Sequence, residues 1–73
     1  MSKMVEMPDT ILRRIKPGEG KTVKLSRIQN AFFMAGYGSI KADRWIHGFF
    51  DCGVLSIVDW NPNGEPNVSC VWW

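Results

Sequence analysis

Apolar residues recur along the chain in two rhythms, a helical one over the first fifty residues and a strand-like one after them. Ile11, Leu12 and Ile15 stand at helical spacing. Pro8 suits the first turn of a helix, where its missing N–H costs nothing, and Asp9 favours the same positive end. The spacing therefore predicts a short helix from Pro8 to Lys16, stopped by Pro17. Met1 to Met7 has no strong period and reads as a loose arm, while Pro17-Gly18-Glu19-Gly20 is a loop by its turn chemistry. Thr22-Val23-Lys24-Leu25 then alternates polar and apolar, the pattern of a very short strand. Leu25, Ile28, Phe32 and Ala35 form one apolar stripe of a second helix. Ser26 and Gln29 fit a capping box at its start, and Gly36 is a natural stop. After the turn Gly36-Tyr37-Gly38, Ser39 is placed to cap a third helix. Ala42, Ile46, Phe49 and Phe50 line one face of that helix, and Gly53 ends it.

Beyond Gly53 the rhythm changes. Val54 to Trp60 and Val68 to Trp73 are rich in β-branched and aromatic residues, as strands are. Between them Asn61-Pro62-Asn63-Gly64-Glu65-Pro66-Asn67 is a dense run of turn formers, giving a hairpin with a seven-residue loop. On such a strand the adjacent Trp72 and Trp73 point to opposite faces, so at least one is expected to be partly exposed. The fold expected is a single α+β domain spanning residues 1–73, with three short helices, a small antiparallel sheet and a C-terminal hairpin. Its core is expected to include Ile11, Ile15, Leu25, Ile28, Phe32, Ala42, Ile46, Phe49, Phe50, Leu55 and Val71.

Composition adds limits. Seventy-three residues suffice for one domain, and 45% hydrophobic with 22% charged residues is a globular balance rather than a disordered one. The longest uncharged runs, such as Ala31 to Ile40, fall far short of the ~20 apolar residues of a membrane span. No basic segment followed by an apolar one marks a secretory leader, so a cytoplasmic location is expected. Cys52 and Cys70 are too few for a disulfide scaffold and read as reduced. Charge is divided along the chain. Residues 1–44 hold all nine basic residues against four acidic ones, a balance of +5, whereas residues 45–73 hold three acidic residues and a balance of −3. Two surfaces of opposite character favour a binding protein over an enzyme.

The candidate chemistries are few. Gly20-Lys21-Thr22 matches the end of a phosphate loop, but the full pattern needs a Gly where Ile15 stands and a strand before it. His47, Asp51, Cys52 and Cys70 contain no CxxC or HxxxH pair, so no metal and no cofactor are expected. Cys52 and His47 lie five residues apart, off a common helix face, and no catalytic residues are assigned. Arg13 and Arg14 begin a basic stretch that continues through Lys16, Lys21, Lys24 and Arg27. Trp60, Trp72 and Trp73, near Asp59 and Glu65, have the aromatic character of protein contact sites.

The order of elements from Val23 to Trp73 resembles the winged helix-turn-helix family. Val23-Lys24-Leu25-Ser26-Arg27-Ile28 resembles that family's first strand passing into its second helix. Phe50-Asp51-Cys52-Gly53-Val54-Leu55 resembles the end of its third helix, and the hairpin resembles its wing. The resemblance implies that the third helix enters a DNA major groove, with Lys41 and Arg44 outward beside His47, Gly48 and Asp51, and with Lys24 and Arg27 as further nucleic-acid contacts. A wing of that family commonly carries a basic residue, whereas this one carries Asp59 and Glu65. In size, architecture and division of charge the chain is also similar to small phage-encoded proteins that bind the host RNA polymerase. That likeness implies a non-enzymatic transcription regulator in a bacterial cytoplasm, inhibitor or antiterminator. Its protein partner would meet Arg13, Arg14, Asp59, Trp60, Glu65, Trp72 and Trp73. The alternative is a sequence-specific DNA-binding repressor or excisionase-like factor.

Overall fold

The computed structural model describes residues 6–15, 17 and 21–73. The order is helix α1 (Pro8–Ile15), strand β1 (Val23–Lys24), helices α2 (Leu25–Met34) and α3 (Ser39–Asp51), then strands β2 (Leu55–Trp60) and β3 (Pro66–Cys70). The chain is thus α+β, with three helices and a three-stranded antiparallel sheet ordered β1-β3-β2. Lys16 and most of the loop expected after α1 lie outside the described residues, as do Met1 to Val5 of the expected arm. Glu6 is held in place: its carboxylate pairs with the Arg14 guanidinium, and its carbonyl accepts a 2.7 Å hydrogen bond from the Tyr37 hydroxyl.

Helix α2 is the central element, packed against α1, α3 and the sheet. Its stripe delivers Ile28 and Phe32, both fully buried, among Ile11, Leu12, Val23, Ala42, Ile46, Leu55, Val68 and Cys70. Ile15, Leu25, Phe49 and Phe50 pack around this core half-covered. The C-terminal stop falls where the glycine predicts it. Gly36 has φ 102°, its amide reaches the Phe33 carbonyl, and the Tyr37 amide reaches the Phe32 carbonyl. These two bonds form a Schellman motif. The Tyr37 ring completes it by meeting Phe32 edge-on, with centroids 5.2 Å apart.

Five expectations need correction. The start of α2 is not a capping box: the cap position is Lys24, with no side-chain bond, and Ser26 and Gln29 lie inside the helix. Ser39 does not cap α3 but is its first residue, after Gly38. The hairpin connection is five residues, 61–65, because Pro66 and Asn67 already pair with Trp60 and Asp59. Finally, β3 ends at Cys70, so Trp72 and Trp73 do not alternate across a strand. Pro66, Val68 and Cys70 face inward. That parity turns Val71 outward to 67% exposure, against its expected place in the core.

Candidate functional site: the two flanks of helix α3

Residues 39–51 place the candidate nucleic-acid contacts. With Ala42 and Ile46 buried and Phe49 and Phe50 half-buried, the opposite side of α3 is presented outward. At 3.6 residues per turn, that outer surface divides into two flanks. One carries Lys41, Arg44 and Trp45, which line an open recess beside Gly36 and Tyr37 at the α2–α3 turn. The other carries Asp43, His47 and Asp51, spaced four residues apart, and faces the hairpin; Arg44 also lines an outer recess with these three. Lys41 and Arg44 are exposed as expected, and so are His47, Gly48 and Asp51. Lys24 and Arg27 are exposed too, but they line a separate recess with Ile15, Pro17 and Thr22. No described recess joins that pair to Lys41 and Arg44.

Both hairpin carboxylates are engaged within the molecule. Glu65 Oε1 accepts a 2.9 Å hydrogen bond from the Ser26 amide, in the first turn of α2. An acidic side chain from thirty-nine residues away thus supplies the cap that the local sequence lacks, at the positive end of the helix dipole. The Ser26 hydroxyl and amide together hold the Glu65 carboxyl below its ordinary range. Asp59 accepts a 2.5 Å bond from the Asn67 amide nitrogen across the strand pair, and Asn61 donates to Asn67 at 2.9 Å. The tip of the hairpin, Pro62-Asn63-Gly64, carries no charge.

Most of the expected partner-binding residues are likewise in internal use. Arg14 grips Glu6 with both terminal nitrogens. The Arg13 guanidinium stacks 4.2 Å above the Trp72 ring, which meets Phe49 edge-on at 5.9 Å. Phe49 in turn lies 6.0 Å from Trp45. Trp73 donates its indole N–H to the Leu12 carbonyl at 2.6 Å, which draws the chain back over α1. Trp60 stands apart at 63% exposure.

The hairpin contains a feature that periodicity cannot show. Ile57 pairs with Val68 and Asp59 with Asn67, so Val58 is an extra residue in β2, a β-bulge. In a regular strand residues 57 and 60 would face opposite sides. Leu55 and Ile57 stand opposite Cys70 and Val68 on the inner face, and the bulge brings Trp60, opposite Pro66, onto that same face. Leu55 is covered by the helices, but Ile57 and Trp60 overhang an open cleft of about 460 Å³. Ile46 and Phe50 of α3 line its other side.

Among the described residues no group of three or more His, Cys, Asp or Glu side chains is arranged to hold a metal ion. Nor, among them, is any helix long and apolar enough to cross a membrane. Cys52 is exposed, its thiol 3.5 Å from the Phe49 carbonyl, whereas Cys70 is buried and burial pushes its thiol up. Comparison with known protein families, curated proteins and solved structures finds no match.

Proposed function

We propose that the protein is a small non-enzymatic transcription regulator of winged-helix type that binds duplex DNA through α3. The observation that carries this reading is the basic flank of that helix. Lys41 and Arg44 project from its first half, and the ion pair formed among the described residues, Arg14 with Glu6, uses neither of them. Side chains of this kind contact phosphate and guanine edges when a helix lies in the major groove. The acidic hairpin counts less against DNA than its composition suggests. Glu65 is committed to α2, Asp59 to Asn67, and the tip is neutral. Lys24 and Arg27, at the start of α2, are offered as secondary phosphate contacts.

Fluorescence anisotropy with a labelled mixed-sequence duplex, titrated over a range of salt, tests this. Non-specific dissociation constants of roughly 10⁻⁴–10⁻⁶ M are expected at physiological salt, with affinity falling steeply as salt rises. Lys41→Ala and Arg44→Ala should each flatten the salt slope by about one. A protein that ignores DNA at low salt, or variants that bind as the parent does, would overturn the reading.

A second reading is favoured by the overhanging Ile57 and Trp60 and by Val58, 57% exposed on the same strand. It is contact with a protein of the transcription machinery, for which a bacterial RNA polymerase subunit is the partner offered. Arg13, Arg14, Trp72 and Trp73 contribute to it less directly, because their contacts are already made inside the chain.

A further inference from the structure

We infer that the cleft between α3 and β2 receives an extended segment of a partner protein in which an apolar residue is flanked by Lys or Arg. The inference rests on the protein-contact reading and not on DNA binding, although Arg44 lines an adjoining recess with Asp43 and Asp51. Its first ground is the bulge. An extra residue at Val58 brings Trp60 to the sheet's inner face beside Ile57, where exposed apolar area is unfavourable unless something covers it. Phe50 and Ile46 provide the opposing apolar wall. Trp in such a setting is the residue type that most often dominates binding energy at protein contacts.

The second ground is charge. Asp43 and Asp51 line the cleft on the α3 side and no Lys or Arg lines it; Arg44 shares an adjoining recess with both, so the three together carry one net negative charge. The two carboxylates are eight residues apart on one helix, which at 1.5 Å per residue is ~12 Å. An extended chain rises ~3.3 Å per residue and returns to the same side every second residue. Basic residues four positions apart therefore span ~13 Å on one side of the segment, and the residue midway between them faces the same way. The chemistry that fits is Lys/Arg-x-apolar-x-Lys/Arg, with the apolar side chain between Trp60 and Phe50 and a cation toward each aspartate. His47 lies between the two aspartates on that flank and adds no acidic charge.

The test is selection from a displayed library of random dodecapeptides on the immobilised full chain, with Trp60→Ala and the Asp43→Asn/Asp51→Asn double variant as parallel targets. These side chains are exposed, so the variants should keep the parent's circular dichroism and melting curve. Enriched sequences should carry the basic-apolar-basic spacing. A synthetic peptide of that sequence should bind about tenfold more weakly to Trp60→Ala. The double variant should also weaken it, by about threefold or more, while Arg44→Ala, which removes a cation beside both aspartates, should not weaken it. Neutral or acidic sequences that still depend on Trp60 would overturn the basic chemistry while keeping the protein-contact reading. A basic spacing of eight would overturn the extended form. Selection indifferent to Trp60→Ala, or no enrichment, would overturn the site, and the DNA titration would stand on its own result.

Discussion

Glu65 shows how a residue can look like one thing in the sequence and do another in the fold. Beside Asp59 and three tryptophans it reads as an acidic contact residue, yet it caps α2 through the Ser26 amide. The consequence is a sign in the acid stability profile. A carboxyl held below its ordinary range in the folded chain contributes fully above that range, and the contribution fades as pH falls through the lowered value. Melting temperature is expected to decline over that acidic window, and Glu65→Gln to decline less steeply over the same window. Identical acid profiles for the two proteins, followed by circular dichroism, would remove the capping role. The cysteines offer a second check at this scale. An alkylating reagent should modify exposed Cys52 in the native protein and reach Cys70 only on unfolding. Residue identities in the core were largely legible, because Ile11, Ile28, Phe32, Ala42, Ile46 and Leu55 follow simple periods. Val71 was not, since one step of parity in β3 decides between burial and exposure and nothing in Ser69-Cys70-Val71-Trp72 fixes that step.

At the scale of elements, the order of helices and strands was readable from spacing, and Gly36 marked a boundary correctly because its Schellman turn is local. What escaped is what depends on distant partners: the cap of α2, the end of β3 drawn away by the Trp73–Leu12 bond, and the bulge at Val58. Gly48 offers a clean element-level test. It sits in the middle of α3, and a Cβ built there meets nothing within 4 Å. Gly48→Ala is therefore expected to stabilise the protein by about 0.5–1 kcal/mol, roughly 2–8 °C in melting temperature for a domain of this size. A lowered melting temperature would show that α3 needs the glycine for something other than its own backbone. Deleting Val58 should restore a regular ladder in which Trp60 follows Ile57 by two positions and so stays on the inner face opposite Pro66, with only the local twist of the bulge lost. The melting temperature should therefore change little, and a large loss would show that the bend at the bulge is needed to seat the hairpin.

For the molecule as a whole, stability is narrow. A 73-residue domain is expected to hold roughly 4–11 kcal/mol in total. Phe32→Ala, which empties the largest fully buried side chain, should cost ~3–5 kcal/mol, a large share of that total, and lower the melting temperature by roughly 12–40 °C. The charges of α3 also have a spatial form that the linear count did not give. Lys41 lies toward the α2 turn and Asp43 toward the hairpin, while Arg44 lines recesses with each of them. A helix with two unlike sides can touch two unlike partners at once, and variants of Lys41 and of Asp43, which line no common recess, separate them.

The place of β3 in the sheet governs how the molecule comes together in time. It is the middle strand, bonded to β2 on one side and to β1 on the other, although it is the last of the three in the chain. The hairpin can zip on its own within microseconds. The ladder from Val23 to Val68 must instead close across forty-five positions, and it has only two residue pairs with which to offset the entropy of doing so. Strand β1 is therefore a latecomer, added once α2 has packed on the finished hairpin and Glu65 has found Ser26. A chain interrupted before Pro66 would lack both ladders together, leaving three helices with no sheet to lean on.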